Sequence, residues 1–245
     1  MPREGAISYP RRAWPVFLIL DSTGMNELEK TKLNEAAKWF IAAVKKRAAS
    51  PKADFDVKFA ALKVDASVQW LTPDGMVPIN SFVWNEMEPE TDVLYDPEIF
   101  GRALLELESK LSSRTWLNFW HSQGGVLPNI VFMTNGENVE SWEKDLTKVR
   151  ENRIFRRSGK YALILSDRAD RSALEKLTSN SEFVVAPERA QEILQRIGWW
   201  SKMKEGEQRL NNSSPNNLII DVVDLRQEYS KEGWDADWNV NQEEW

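Results

Sequence analysis

Residues 16–26 read Val16-Phe17-Leu18-Ile19-Leu20-Asp21-Ser22-Thr23-Gly24-Met25-Asn26. Five consecutive apolar residues predict a strand buried on both faces, as in the middle of a parallel sheet. The polar run from Asp21 to Gly24 ends that strand, and a helical pattern follows. Within residues 26–49, Leu28, Leu33, Ala36, Ala37, Phe40, Ile41 and Val44 keep a spacing of three to four, which is one face of a helix. Asn26 is placed to cap this helix, and Ser50-Pro51 to stop it.

The same grammar recurs down the chain. Residues 129–133 read as a second buried strand, followed by the polar loop Thr134-Asn135-Gly136-Glu137 and a helix over 139–150. Residues 161–165 and 183–185 read as further strands, and 98–111, 171–178 and 188–203 as helices. On the first of these helices Ile99, Ala103, Leu104, Leu107 and Leu111 share a face. Residues 57–64 and 67–71 read as a hairpin with one edge strand. Residues 72–97 hold Pro73, Pro78, Pro89 and Pro97 and show no periodicity, so they are expected to be a long functional loop. Strands alternating with helices predict an α/β fold: a Rossmann-like, doubly wound, mostly parallel sheet with helices on both faces. Ligands of such sheets bind beyond the carboxyl ends of the strands, where both polar loops fall.

Composition divides the chain further. Residues 1–12 form a polar, basic lead-in to a domain over 13–204; 205–217 are a linker rich in Asn and Ser, and 218–245 an acidic tail. The tail holds eight acidic and two basic residues, which is the whole formal net charge of −6. The neutral body argues against general nucleic-acid binding, which needs a basic surface. No apolar run approaches the roughly 20 residues that span a bilayer. The start, Met1-Pro2-Arg3-Glu4-Gly5, has no apolar stretch behind its charges, so a secretory signal is not expected. Cysteine is absent, which excludes thiolate metal sites and fits a reducing, cytoplasmic setting. The single histidine, His121, excludes chemistry that needs two.

The chain resembles a von Willebrand factor A-type (VWA) domain, and within that group the TerY-like bacterial branch associated with tellurite resistance and stress operons. The resemblance runs over about residues 11–204. It is carried by Arg11-Arg12 leading into the first strand, Leu20-Asp21-Ser22-Thr23-Gly24-Met25, Gly101-Arg102-Ala103-Leu104 and Phe132-Met133-Thr134-Asn135-Gly136-Glu137. It implies a metal-ion-dependent adhesion site, usually holding magnesium, with oxygen ligands from these loops. Carried over, Asp21 matches the first ligand and Thr23 the first serine. Met25 falls on the second serine, Asn135 on the last aspartate, and the middle threonine falls near Pro97 or Glu98. A thioether is a poor ligand for a hard cation, and an amide lacks the charge that offsets cation dehydration. The expectation is therefore a degenerate metal site made of Asp21, Thr23 and Asn135, with Glu98 or Glu137 as candidate extra carboxylates.

Other constellations are weaker. Asp21-Ser22-Thr23-Gly24 lacks the second acid of a phosphatase nucleophile loop. Gly124-Gly125 precedes a strand and so makes no phosphate cradle. Ser22 has no histidine or lysine placed in sequence to activate it. Trp39, Trp70 and Trp142 fall on elements and are expected in the core, while Trp84, Trp116 and Trp120 lie by long loops and are interface candidates. Trp199-Trp200 closes the last helix, with one of the pair expected against the body. Trp234, Trp238 and Trp245 stand in the acidic tail, where Gly233-Trp234-Asp235-Ala236-Asp237-Trp238 reads as a docking motif, with a solvated tail or one folded back onto its own domain as the alternatives.

The expectation is a non-catalytic protein-interaction module, a TerY-like VWA adaptor in a multi-protein bacterial stress or defence system, without a cofactor. It would bind a protein partner through the carboxyl-end loops (Met25, Glu98 and Glu137) and the tail (Trp234, Trp238 and Trp245). The resemblance implies a protein kinase or a PP2C-type phosphatase as candidate partners. The alternative is a domain in which magnesium gates partner binding, and the third option is a phosphoesterase.

Overall fold

β1 (Arg12–Asp21) extends the predicted strand in both directions, and every residue after Arg12 is buried. The computed structural model describes residues 11–50, 53, 55–87, 96–119, 126–136 and 142–186. β1 pairs in parallel with β2 (Phe55–Val64) on one side and β5 (Asn129–Thr134) on the other, so that Leu18 faces Ala61 and Val131. A strand with neighbours on both sides and layers on both faces must be apolar throughout, which is why the run at 16–20 is continuous.

Outside β2 lie two antiparallel pieces, β3 (Val68–Trp70) and β4 (Val77–Pro78). The hairpin at 57–71 is thus present, and β4 brings part of the 72–97 segment onto the sheet. On the other side β5 pairs in parallel with β6 (Gly159–Ile164), and β6 with β7 (Val184–Val185). The main order is β3-β2-β1-β5-β6-β7.

Alternation along β1 feeds two cores. Trp14, Val16, Leu18 and Leu20 pack with Leu33, Ala37, Phe40, Ile41 and Val44 of α1 (Glu27–Ala48). Ala13, Phe17 and Ile19 share the opposite core with Ala103, Leu104 and Leu107 of α2 (Ile99–Leu111). Leu146 of α3 (Glu143–Val149), Phe155 of α4 (Arg153–Arg157) and Leu177 of α5 (Arg171–Thr178) belong to that second core too. Helices therefore cover both faces, and the doubly wound α/β class is as the sequence predicts. Gly101 permits the approach of α3 to α2, because a Cβ there would stand 2.2 Å from Asp145 Oδ2.

Three particulars differ from the sequence reading. Leu28 is not on the buried face of α1 but 64% exposed; at about 100° per residue it stands about 140° from Leu33. Trp116 is core rather than interface: it is buried, with its ring 4.5 Å from that of Trp70. α4 was not anticipated. The predicted helix 188–203, the linker, the acidic tail, Trp120, His121 and Glu137 lie outside the described residues.

Candidate functional site

The chain leaves β1 toward β2 on one side and later returns to β5 on the other. The carboxyl ends of β1 and β5 therefore flank the point where the winding reverses, the usual ligand position in open α/β sheets. Asp21 ends β1, and Thr134 ends β5.

Local chemistry shapes both loops. Ser22 donates from its N–H and its hydroxyl to the Val64 carbonyl, at 2.9 and 3.2 Å, which moors the loop to the end of β2. Thr23 turns back on Asp21, its N–H and hydroxyl donating to Oδ1 at 3.1 and 2.5 Å, an Asx-type turn. Gly24 follows with φ +66°. Asn26 then caps α1 reciprocally: its side chain accepts from the Glu29 N–H, and Glu29 accepts from the Asn26 N–H, each at 3.0 Å.

The two loops are bonded to each other. The Thr134 hydroxyl donates to Asp21 Oδ2 at 2.6 Å and accepts from the Gly136 N–H at 2.9 Å. The Asn135 Nδ2 donates to the Thr23 carbonyl at 2.9 Å. The loop after β6 joins them: the Asp170 N–H donates to the Gly136 carbonyl at 2.9 Å, and Arg168 pairs with Glu29 at 3.2 Å. Burial pushes the Asp21 carboxyl above its ordinary value, against the opposing pull of the Thr134 and Thr23 donors. Burial also acts on Glu29, but the Asn26 N–H, the Ser166 side chain and Arg168 outweigh it and hold its carboxyl below the ordinary value.

The predicted site residues separate under this geometry. Asp21, Thr23 and Asn135 come together, with Asp21 and Asn135 buried and Thr23 half-buried. Met25 does not stand at the loop surface: it is buried and packs with Leu33 and Ala37. Glu98 is exposed at the start of α2, where its N–H donates to Asp96 Oδ1 at 2.9 Å. Thr134 is the member that sequence reasoning missed. Its place directly before Asn135, at the end of a buried strand, was the available signal.

The divalent cation implied by the resemblance does not fit this donor set. Both oxygens of Asp21 accept from protein donors, and Asn135 turns an N–H toward Thr23. The Met25 side chain lies in the core. Among the described residues no three Asp, Glu, His or Cys side chains gather where they could hold a metal. Nor is Ser22 presented as a nucleophile, because its hydroxyl donates to a carbonyl rather than to a base.

No protein-family model matches the chain, and no curated protein sequence matches it. Solved structures show a distant similarity. Proximal thread matrix protein 1 of the mussel byssus is 12% identical over 77% of this chain and 48% of that one, with a TM-score of 0.47. The von Willebrand factor type A protein from Catenulispora acidiphila is 10% identical over 78% of this chain and 43% of that one, with a TM-score of 0.44. The vWF domain of the type V pili tip protein Mfa5 from Porphyromonas gingivalis is 10% identical over 82% and 99%, with a TM-score of 0.46. The chain spans less than half the length of the first two. Among the described residues no helix is long and apolar enough to cross a membrane.

Proposed function

We propose that this chain is a non-catalytic, VWA-type protein-interaction module that presents its carboxyl-end loops to a protein partner. The observation that carries the reading is the state of the polar groups at the switch point. Asp21, Thr23, Thr134 and Asn135 are hydrogen-bonded to one another, which suits a rigid surface, and both Asp21 oxygens and the Ser22 hydroxyl are engaged rather than poised for chemistry. Next to this centre in the β1 loop, the start of α1 and the loop after β6, Gly24, Glu27, Leu28 and Arg168 are exposed. Leu28 adds an exposed apolar side chain beside the Asp21 loop, and burying it against a partner would remove apolar surface from water.

The finer reading is a TerY-like adaptor in a cytoplasmic bacterial stress or defence assembly, with a kinase or a PP2C-type phosphatase as candidate partners. Trp234, Trp238 and Trp245 would supply the second contact, with domain limits at 13–204 and 218–245. Quantitative affinity purification of the full chain beside a Leu28→Asp variant tests the surface. A partner recovered at least about tenfold less by the variant is expected, which corresponds to about 1.4 kcal/mol at the anchor. Equal recovery by both chains would remove the loops from the interface. Turnover of phosphoester substrates that Asp21→Ala abolishes would replace the reading with an enzyme.

A further inference from the structure

We propose that the Asn135 side-chain amide ties the β1 and β5 loops together directly, so that the loop cluster keeps a single arrangement without any divalent ion. The inference deepens the reading above and rests on it for the role of the loops, but its test uses no partner.

The argument starts from what position 135 must do. Asn135 is 1% exposed, and its Nδ2 reaches the Thr23 carbonyl across 112 residues of chain. A carbonyl partly withdrawn from water gains from a donor, and an amide supplies one. An aspartate in the same place would bring only acceptors to the Thr23 carbonyl and would add a second buried charge to the loop pair that already holds Asp21. Without a cation between them, two such carboxylates disfavour each other's ionised form. The amide that removes a charge from the ligand set thus adds a bond between the loops beside that of Thr134 to Asp21.

Position 25 fits the same logic. A serine hydroxyl there would face the apolar core formed with Leu33, Ala37 and Phe40, where Met25 is 7% exposed. The thioether fills this space without a polar atom to satisfy. Thr134 completes the set, because one hydroxyl serves both Asp21 and the Gly136 N–H. Both departures from an oxygen-ligand pattern therefore have a structural use in a cluster that is closed by protein groups alone.

Thermal unfolding of the full chain, with calorimetric titration of magnesium and manganese chloride, tests this on the wild type and on Asn135→Asp. The wild-type midpoint is expected to be the same, within about 1 °C, in EDTA and in either metal, with no binding heat. Asn135→Asp is expected to melt at least about 5 °C lower in EDTA, or not to fold there, since a shift of a few degrees corresponds to one lost buried interaction in a chain of this size. A wild-type midpoint raised by several degrees with magnesium or manganese, with heat that Asp21→Ala removes, would overturn the proposal. So would Asn135→Asp melting with the wild type in EDTA. The wild-type arm decides on its own if the variant does not fold. Failure here would leave partner capture standing as metal-dependent, whereas failure of partner capture would leave the tie between the loops untouched.

Discussion

The Thr134 hydroxyl holds more of the site together than its size suggests. It gives its proton to a buried carboxylate and its lone pair to a backbone N–H that is also buried. Thr134→Val keeps the shape and removes both bonds at once. The loss falls on a charged group and on the main chain, so a drop of roughly 2–4 kcal/mol in unfolding free energy is expected, read from urea titration at pH 7. Gly136 is constrained differently. Its φ is +67°, and a Cβ would stand 2.8 Å from the Ala169 Cβ. Gly136→Ala should cost about 2 kcal/mol or more by the same measurement, through left-handed backbone strain plus overlap. At this scale the sequence marks Asp21, Thr23 and Asn135 through their polar run at a strand end. Thr134 stands in the second of the polar loops, but its role stays hidden until its partner 113 residues away is known.

Elements show the same division between local and distant causes. α1 is legible because its cap, its apolar face and its stop are all local signals. α4 is not, since five residues give no period to read; its carboxyl end depends instead on Lys160, from β6. The Lys160 ammonium is buried and donates to the carbonyls of Phe155, Arg156 and Ser158 at 3.0, 3.2 and 2.9 Å. Burial lowers its pKa to about 8 from an ordinary 10.5, with the nearby Arg150 charge adding to the effect. The unfolded chain therefore binds this proton more readily than the folded chain between those values, and stability from this group rises with pH across that window. Urea titrations from pH 7.5 to 10.5 should show the wild type gaining roughly 1–3 kcal/mol relative to Lys160→Met. A constant difference between the two would mean that the lysine titrates as in the unfolded chain.

For the whole molecule, the fold class is readable from alternating buried strands and helices, whereas the reversal of winding between β1 and β5 is not. Nothing within residues 16–20 or 129–133 states that they are neighbours; that follows from which edges the intervening hairpin and crossover helix leave open. Charge is organised at this scale too. Residues 218–245 carry the entire net charge of −6 and three tryptophans, while the rest of the chain is neutral. An acidic segment with spaced aromatic anchors gains from a basic, pocketed surface through steering and through ring burial, and only the first of these is screened by salt. Deleting 218–245 should therefore slow association with a captured partner and raise its dissociation rate. Trp234→Ala with Trp238→Ala should act mainly on dissociation, and added salt mainly on association. Surface plasmon resonance on the purified pair separates the two, and rate constants unchanged by the deletion would reduce the tail to a solvated appendage.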